Sequence, residues 1–303
     1  MRPQRVGVVV NPTAGAGRGA PAGPRVLGTL RAAGHDVLDL SAPTLENAAA
    51  SARAAVAGDR VDVLVVVGGD GMVHLGVNAC AATSVPLGVV AVGSGNDTAT
   101  TLGLPVHDVD AALAVIARSG ERPRRIDAAY VTPVGRWYVG VLSAGLDAAV
   151  SARASADTRS KGSMRYVRAV VGELRRFRPY GYRVVAGDRV WEQPGTLVAV
   201  ANGPVIGGGV RIAPDAVLDD GQLDVVVAPA FSRVRAATIF PGMYRGAHLR
   251  TQGIETFRST AVVLEATAAG AAPPVACADG EVLGSLPLRV EVRPGALLVL
   301  AGP

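Results

Sequence analysis

Unbroken apolar runs alternate with amphipathic stretches along the first third of the chain. Val6 to Val10 is a continuous β-branched run closed by Asn11-Pro12-Thr13-Ala14-Gly15-Ala16-Gly17, which predicts a buried first strand entering a glycine-rich loop. A helix is expected from about Pro24 to Ala33, then a short strand over Val37–Leu40 and a helix capped by Thr44 that runs to about Ala57. A third strand, Val61–Val67, ends in Gly68-Gly69-Asp70-Gly71 and leads into a helix to about Cys80. Strand Leu87–Val92 follows and ends in Gly93-Ser94-Gly95-Asn96-Asp97. The β-α-β-α-β order predicts a parallel sheet with helices on both faces, and ligands of such sheets bind at the carboxyl ends of the strands. Both glycine loops fall on that edge.

From Asp127 the pattern changes to short strands: Ala128–Thr132, Trp137–Leu142, Tyr182–Val185, Thr196–Val200, Leu223–Ala228, Ala261–Ala266 and Leu288–Val292. This half is expected to be mostly β. A basic helix over Arg153–Arg178 interrupts it, with Val167, Val170, Val171, Leu174 and Phe177 on one face and Arg165, Arg168, Arg175 and Arg176 elsewhere. That pattern reads as a helix packed on the second domain with its arginines in solvent, in preference to a membrane-contact helix.

A length of 303 residues suggests two domains, and 49% hydrophobic with 18% charged residues excludes a disordered chain. The net charge of +5 rests on arginine, since Lys161 is the sole lysine. A basic balance suits nucleic acid, an anionic membrane or a phosphorylated ligand; with only 4% aromatic residues the stacking platforms of nucleic-acid binding are lacking, so no nucleic-acid partner is expected. Cys80 and Cys277 lie far apart and suggest neither a disulfide framework nor a zinc site, which fits a cytoplasmic protein. No transmembrane segment is predicted.

Backbone N–H groups freed by glycine at the start of a helix make a nest for anionic oxygens. Gly68 to Met72 has that form. Asp70 within it implies a metal ion or a substrate proton between its carboxylate and phosphate, hence a nucleotide phosphate with Mg²⁺; the plainer reading is a turn with Asp70 as helix cap. Gly93-Ser94-Gly95-Asn96-Asp97 repeats the arrangement one strand later, and the pair points to phosphate binding. Gly15-Ala16-Gly17-Arg18-Gly19-Ala20 matches a dinucleotide pattern, but Pro21, Gly23 and Pro24 fall where that fingerprint needs a helix already packed on its strand. Neither a G-x-x-x-x-G-K-[ST] loop nor a G-x-S-x-G elbow occurs.

Farther on stand Asn202-Gly203, Gly207-Gly208-Gly209, Asp219-Asp220-Gly221-Gln222-Leu223-Asp224 and Asp279-Gly280-Glu281. Asp219, Asp220 and Asp224 read either as hard oxygen ligands or as an acidic surface turn, and Asp279-Gly280-Glu281 alone is a hairpin turn. Taken in order with Asn11-Pro12 and the two glycine loops, these residues resemble the diacylglycerol kinases, sphingosine kinases and bacterial lipid kinases over essentially the whole chain.

The resemblance implies an α/β N-terminal domain like that of NAD kinases and phosphofructokinases, residues 1–126, completed by about 287–303. It further implies a mostly antiparallel β-sandwich lipid-binding domain, residues 127–286. ATP would be contacted by Asn11, Thr44, Gly68, Gly69, Asp70, Gly71, Met72, Val73, His74, Gly93, Ser94, Gly95, Asn96 and Asp97. Glu281 would be the general base, with Asp70 close to the transferred phosphate and the alternative proton acceptor; Asp219, Asp224 and the Gln222 carbonyl would form a structural Mg²⁺ site. Apart from the resemblance, Asp147 in Gly145-Leu146-Asp147-Ala148 reads either as facing the lipid head group or, more plainly, as a strand-end turn. Where the family pattern continues Thr-x-Asn-Glu this chain has Met72, His74 and Leu75, and His74 reads as a helix residue rather than a catalytic group. The expected activity is ATP- and Mg²⁺-dependent phosphorylation of a membrane lipid, diacylglycerol foremost, with a sphingoid base, NAD or catalytically silent lipid binding as alternatives. Peripheral contact with an anionic membrane would bring enzyme to substrate, and a homodimer is compatible with this reading.

Overall fold

The computed structural model describes residues 3–119, 122–156 and 163–302. The chain divides into two compact units, one made of residues 1–128 and 293–303 and the other of residues 129–292.

In the first unit β1 (Arg5–Val10), α1 (Gly19–Ala32), β2 (Asp36–Asp39), α2 (Leu45–Ala57), β3 (Val63–Gly68), α3 (Asp70–Cys80) and β4 (Leu87–Ala91) alternate as the apolar runs predict. The strands are parallel in the order β2-β1-β3-β4: Val6–Val10 lie beside Val63–Val67, and Leu64–Gly68 beside Leu87–Ala91. Every residue of β3 and β4 is buried, which explains why these strands read as uniform rather than alternating apolar runs. Their core takes Val8, Val65, Val67 and Val90 together with Val26 and Leu30 of α1. That helix starts five residues before the expected Pro24; the proline is accommodated inside it, and Gly23 lets the helix close onto Val10. Two further helices, α4 (Asp97–Thr101) and α5 (Val109–Ser119), precede β5 (Arg124–Thr132), which runs across the boundary into the second unit.

The second unit contains β6 (Arg136–Tyr138), β7 (Val141–Ser143), α6 (Leu146–Ala156), α7 (Ser163–Arg176), β8 (Tyr180–Ala186), β9 (Arg189–Ala201) and β10 (Leu223–Pro229). It continues with α8 (Arg233–Met243), β11 (Glu255–Ser259), β12 (Ala261–Ala266), β13 (Ala276–Ala278), β14 (Glu281–Gly284) and β15 (Leu288–Val299), whose end returns to the first unit and pairs Val299 with Leu87. Its strands pair antiparallel. β9 carries β8 along its first half and both β10 and β7 along its second. Tyr138, Tyr182, Trp191, Val225 and Leu264 fill the core of one face, while Leu197, Ile212, Val226 and Phe231 form a second cluster with α8.

Three local expectations are corrected. The apolar run Trp137–Leu142 is not one strand: it breaks at Val139-Gly140, where the side chains of Asp279 and Asn202 and the amides of Asn202 and Gly203 take the backbone groups in place of a strand ladder. The basic helix expected over Arg153–Arg178 consists, in its described parts, of the end of α6 and of α7, while residues 157–162, including Lys161, lie outside the described residues. On α7, Ala169 and, just beyond the helix, Phe177 are buried and Arg168, Arg175 and Arg176 are exposed, but Val171 is 44% exposed rather than on the packed face.

Candidate active site

The first unit builds its site from main chain. β3 and β4 are neighbours, so the loops that follow them meet: Val92 N and Gly93 N both donate to Gly68 O, at 2.9 and 3.1 Å. Gly69 and Gly93 then touch so closely that a Cβ on Gly93 would stand 2.3 Å from the Gly69 Cα, a distance no side chain tolerates. Asn96 adopts a left-handed conformation (φ 63°) and clips its own loop shut, its Oδ1 accepting from Gly93 N and its Nδ2 donating to Gly93 O, each at 2.9 Å. Asp70 then bridges the loops: Oδ2 accepts from Asn96 N at 2.8 Å and Oδ1 from Thr98 N at 3.3 Å.

Helix α3 opens directly from this junction. Its N-cap is Gly69, which has no side chain to cap the first amides, so the 11-residue helix presents the positive end of its dipole there. Burial raises the Asp70 carboxyl above the usual range, and repulsion from Asp97 adds to this against the pull of the amides it accepts. Arg18 ties a third loop to the junction by donating to Val92 O and Gly93 O at 3.2 and 2.9 Å.

The other expected nucleotide residues stand as follows. Asn11 follows β1 and accepts from Thr13 N and Oγ1 at 3.0 and 2.8 Å. Thr44 is the N-cap of α2, its hydroxyl accepting from Asn47 N at 3.2 Å. Met72, Val73 and His74 turn their side chains into the buried interior, and the amides of Met72 and Val73 donate to Gly69 O at 2.9 and 3.1 Å. His74 Nε2 lies 3.1 Å from Asn78 Nδ2 on the same helix. Gly71, Ser94, Gly95 and Asp97 lie on the loops or in the first turns that follow them.

In the second unit Glu281 begins β14, half-buried beside Arg136. Desolvation raises its carboxyl against the pull of Arg136, and among the described residues none hydrogen-bonds it. Asp219 and Gln222 lie on the turn before β10, and Asp224 is in that strand. Arg258 of β11 supplies the counter-charge: Nε donates to Asp224 Oδ1 at 3.0 Å, and Nη1 stands 3.3 Å from Asp220 Oδ2. No group of three or more acidic, histidine or cysteine side chains is placed to hold a metal ion among the described residues. Asp224 is paired with Arg258, and no chemistry is routed through a divalent ion at this turn.

Sequence reasoning missed a cavity of about 150 Å³ between α6, α7, α8 and the sheet, lined by Leu146, Val150, Leu174, Leu197, Phe231 and Ile239 among others. Asp147, Thr196 and His248 are its polar margin. Asp147 sits in the first turn of α6 with Oδ1 buried and without a hydrogen bond, and burial raises its carboxyl despite Ser143 and the Ala148 amide nearby. Burial likewise lowers His248, whose Nε2 is 3.0 Å from Ile212 O. No helix among the described residues is long and apolar enough to cross a membrane.

A unit whose two glycine loops meet at a helix N-terminus and a β-rich unit with an apolar cavity are compatible with a phosphotransferase acting on a lipid. Two family models match the chain: the diacylglycerol kinase catalytic domain over residues 5–131, and the YegS C-terminal NAD kinase beta sandwich-like domain over residues 140–301. A diacylglycerol kinase of Mycobacterium tuberculosis is 31% identical over 300 residues, covering 98% of this chain and 94% of its own. A Xanthomonas oryzae pv. oryzae protein named "Probable lipid kinase YegS-like" is 34% identical over 191 residues, 60% of each chain. The fold also matches the crystal structure of a diacylglycerol kinase from Bacillus anthracis str. Sterne, with a TM-score of 0.72 at 20% identity over 100% of this chain and 98% of that one. The chain belongs to the diacylglycerol kinase and YegS-like family of lipid kinases.

Proposed function

We propose that the protein transfers the γ-phosphoryl group of ATP to the free hydroxyl of diacylglycerol, giving phosphatidic acid and ADP. The observation that carries this reading is the junction of the two glycine loops at the α3 N-terminus, bridged by Asp70. Phosphoryl transfer asks for an in-line hydroxyl, stabilisation of the phosphoryl oxygens and a proton acceptor. The loops and the helix N-terminus supply fixed donors for the phosphate oxygens. Asp70 and Asp97, which repel one another, are the carboxylates that would hold magnesium accompanying ATP, and the ion would supply charge neutralisation at the phosphates.

The acceptor oxygen forms its bond to the γ-phosphorus as the bond from that phosphorus to the β,γ-bridging oxygen breaks and ADP leaves. The hydroxyl proton passes to Glu281, whose raised carboxyl makes it a better base near neutrality. Asp70 is assigned the positioning of the loops rather than the proton, since both of its oxygens already accept amides.

The apolar cavity takes an acyl chain, with Asp147 at the head group. Among the described residues no cation influences Asp147, and burial shifts it toward its neutral form, which suits an ester carbonyl better than an ammonium; this favours a glycerolipid over a sphingoid base. Peripheral contact with an anionic bilayer completes the reading, with exposed Arg168, Arg175 and Arg176 of α7 at hand. The test is radiolabelled ATP with diacylglycerol, sphingosine and NAD offered separately. Label in phosphatidic acid, lost on Glu281→Gln, is the expected result; label entering sphingosine or NAD instead, or no acceptor at all, overturns the reading.

A further inference from the structure

The break in the apolar run at Val139-Gly140 leaves four backbone groups without a strand partner, and the structure accounts for all of them. Asp279 takes both amides: Oδ2 accepts from Val139 N and Oδ1 from Gly140 N, each at 3.0 Å. The carbonyls go to the segment after β9, where Asn202 Nδ2 donates to Val139 O at 3.0 Å and the amides of Asn202 and Gly203 donate to Gly140 O at 2.9 Å each. Approach is possible only because residue 140 is glycine, where a Cβ would lie 2.4 Å from Asp279 Oδ1.

Asp279 and Gly280 are also the two-residue loop between β13 and β14, in which Ala278 pairs with Glu281. Their φ values of 50° and 84° are those of the tight hairpin turn that Asp-Gly favours. That turn would be served as well by Asn-Gly or Gly-Gly, neither of which offers a carboxylate with two acceptor oxygens. On the far side β13 pairs with β7 through Ala278 and Leu142, so the Asp279 side chain continues that ladder past its last strand pair. Glu281 stands two residues beyond the clamp, at the first position of β14.

We propose that Asp279 is a positioning residue for the phosphoryl transfer, fastening the Asp279-Gly280 turn to Val139-Gly140 and so fixing where the Glu281 carboxylate stands. The proposal rests on Glu281 being the proton acceptor. A misplacement of about 1 Å in such a group is worth roughly 100-fold in rate.

The experiment is a double-mutant cycle of Asp279→Gly and Glu281→Gln, with Asp279→Asn alongside, read as kcat and as KM for ATP and diacylglycerol. Glycine relieves the left-handed conformation at 279 while deleting the carboxylate, so the hairpin is retained. Asp279→Gly is expected to lower kcat about 10- to 100-fold, and Asp279→Asn less, with both KM values within about twofold. Added to Glu281→Gln, Asp279→Gly is expected to cost less than about twofold more, because both act through one group. Full additivity, or wild-type kcat in Asp279→Gly while Glu281→Gln is crippled, overturns the positioning role and leaves the base assignment standing. A fully active Glu281→Gln overturns both.

Discussion

The two units solve their chemical problems with different materials. In the proposed reading, recognition in the first is main chain: Gly68, Gly69 and Gly93 bring the loops together, and Asp70 and Asn96 use their side chains to hold backbone in place. In the second it is side chain: Glu281, Asp147 and an apolar cavity whose walls come from residues scattered between Leu146 and Ile254. A rigid peptide cradle suits a triphosphate, whose covalent shape is constant, whereas a lipid varies in length and branching and calls for soft side chains.

The sharpest way to break that contrast is Glu281→Gln. It is expected to lower kcat by about 10²- to 10⁴-fold, the usual weight of a general base, while equilibrium binding of ATP measured by calorimetry stays unchanged. If ATP binding falls in parallel, the second unit is not confined to acceptor chemistry. Next in size is Gly93→Ala, whose added methyl collides with Gly69; KM for ATP should rise at least about 10-fold with binding of a short-chain diacylglycerol intact. Ile239→Trp should do the converse by filling the cavity, raising KM for diacylglycerol about 10-fold and leaving KM for ATP within about twofold.

The smallest effect concerns stability. Asp147 has a folded pKa above its unfolded one, so the folded state binds more protons in the interval between them and stability declines as pH rises through it. Asp147→Asn should therefore raise the melting temperature at pH 7 by about 2–4 °C, the size of a change near 1 kcal/mol in a domain of this length, and the gain should vanish below the ordinary carboxyl range. An equal gain at low pH would show that packing, not ionisation, is responsible.

What could be read from the sequence follows the same division. Val6–Val10, Val63–Gly68 and Leu87–Ala91 declare themselves because both faces of a central parallel strand are buried, and the loops because glycine clusters have few other uses. The break at Val139-Gly140 could not be read, since apolar residues continue through it and its partners lie 62 to 140 residues away. Nor could the pairing of Arg258 with Asp220 and Asp224, which balances an acidic turn that spacing alone leaves open to a cation. The cavity left no local signal either: α8 opens with arginines and ends near Pro241 and Gly242, so its part in an apolar wall appears only once the chain is folded.

The contact between Gly69 and Gly93 carries a lesson for redesign. With nothing larger than hydrogen admissible there, selection has little room to retune donor choice at that spot, whether in nature or in a directed-evolution library. Diversity should instead be sought around the greasy hollow under α8, where exchanging one bulky group for another can swap the accepted fat while leaving the fuel alone.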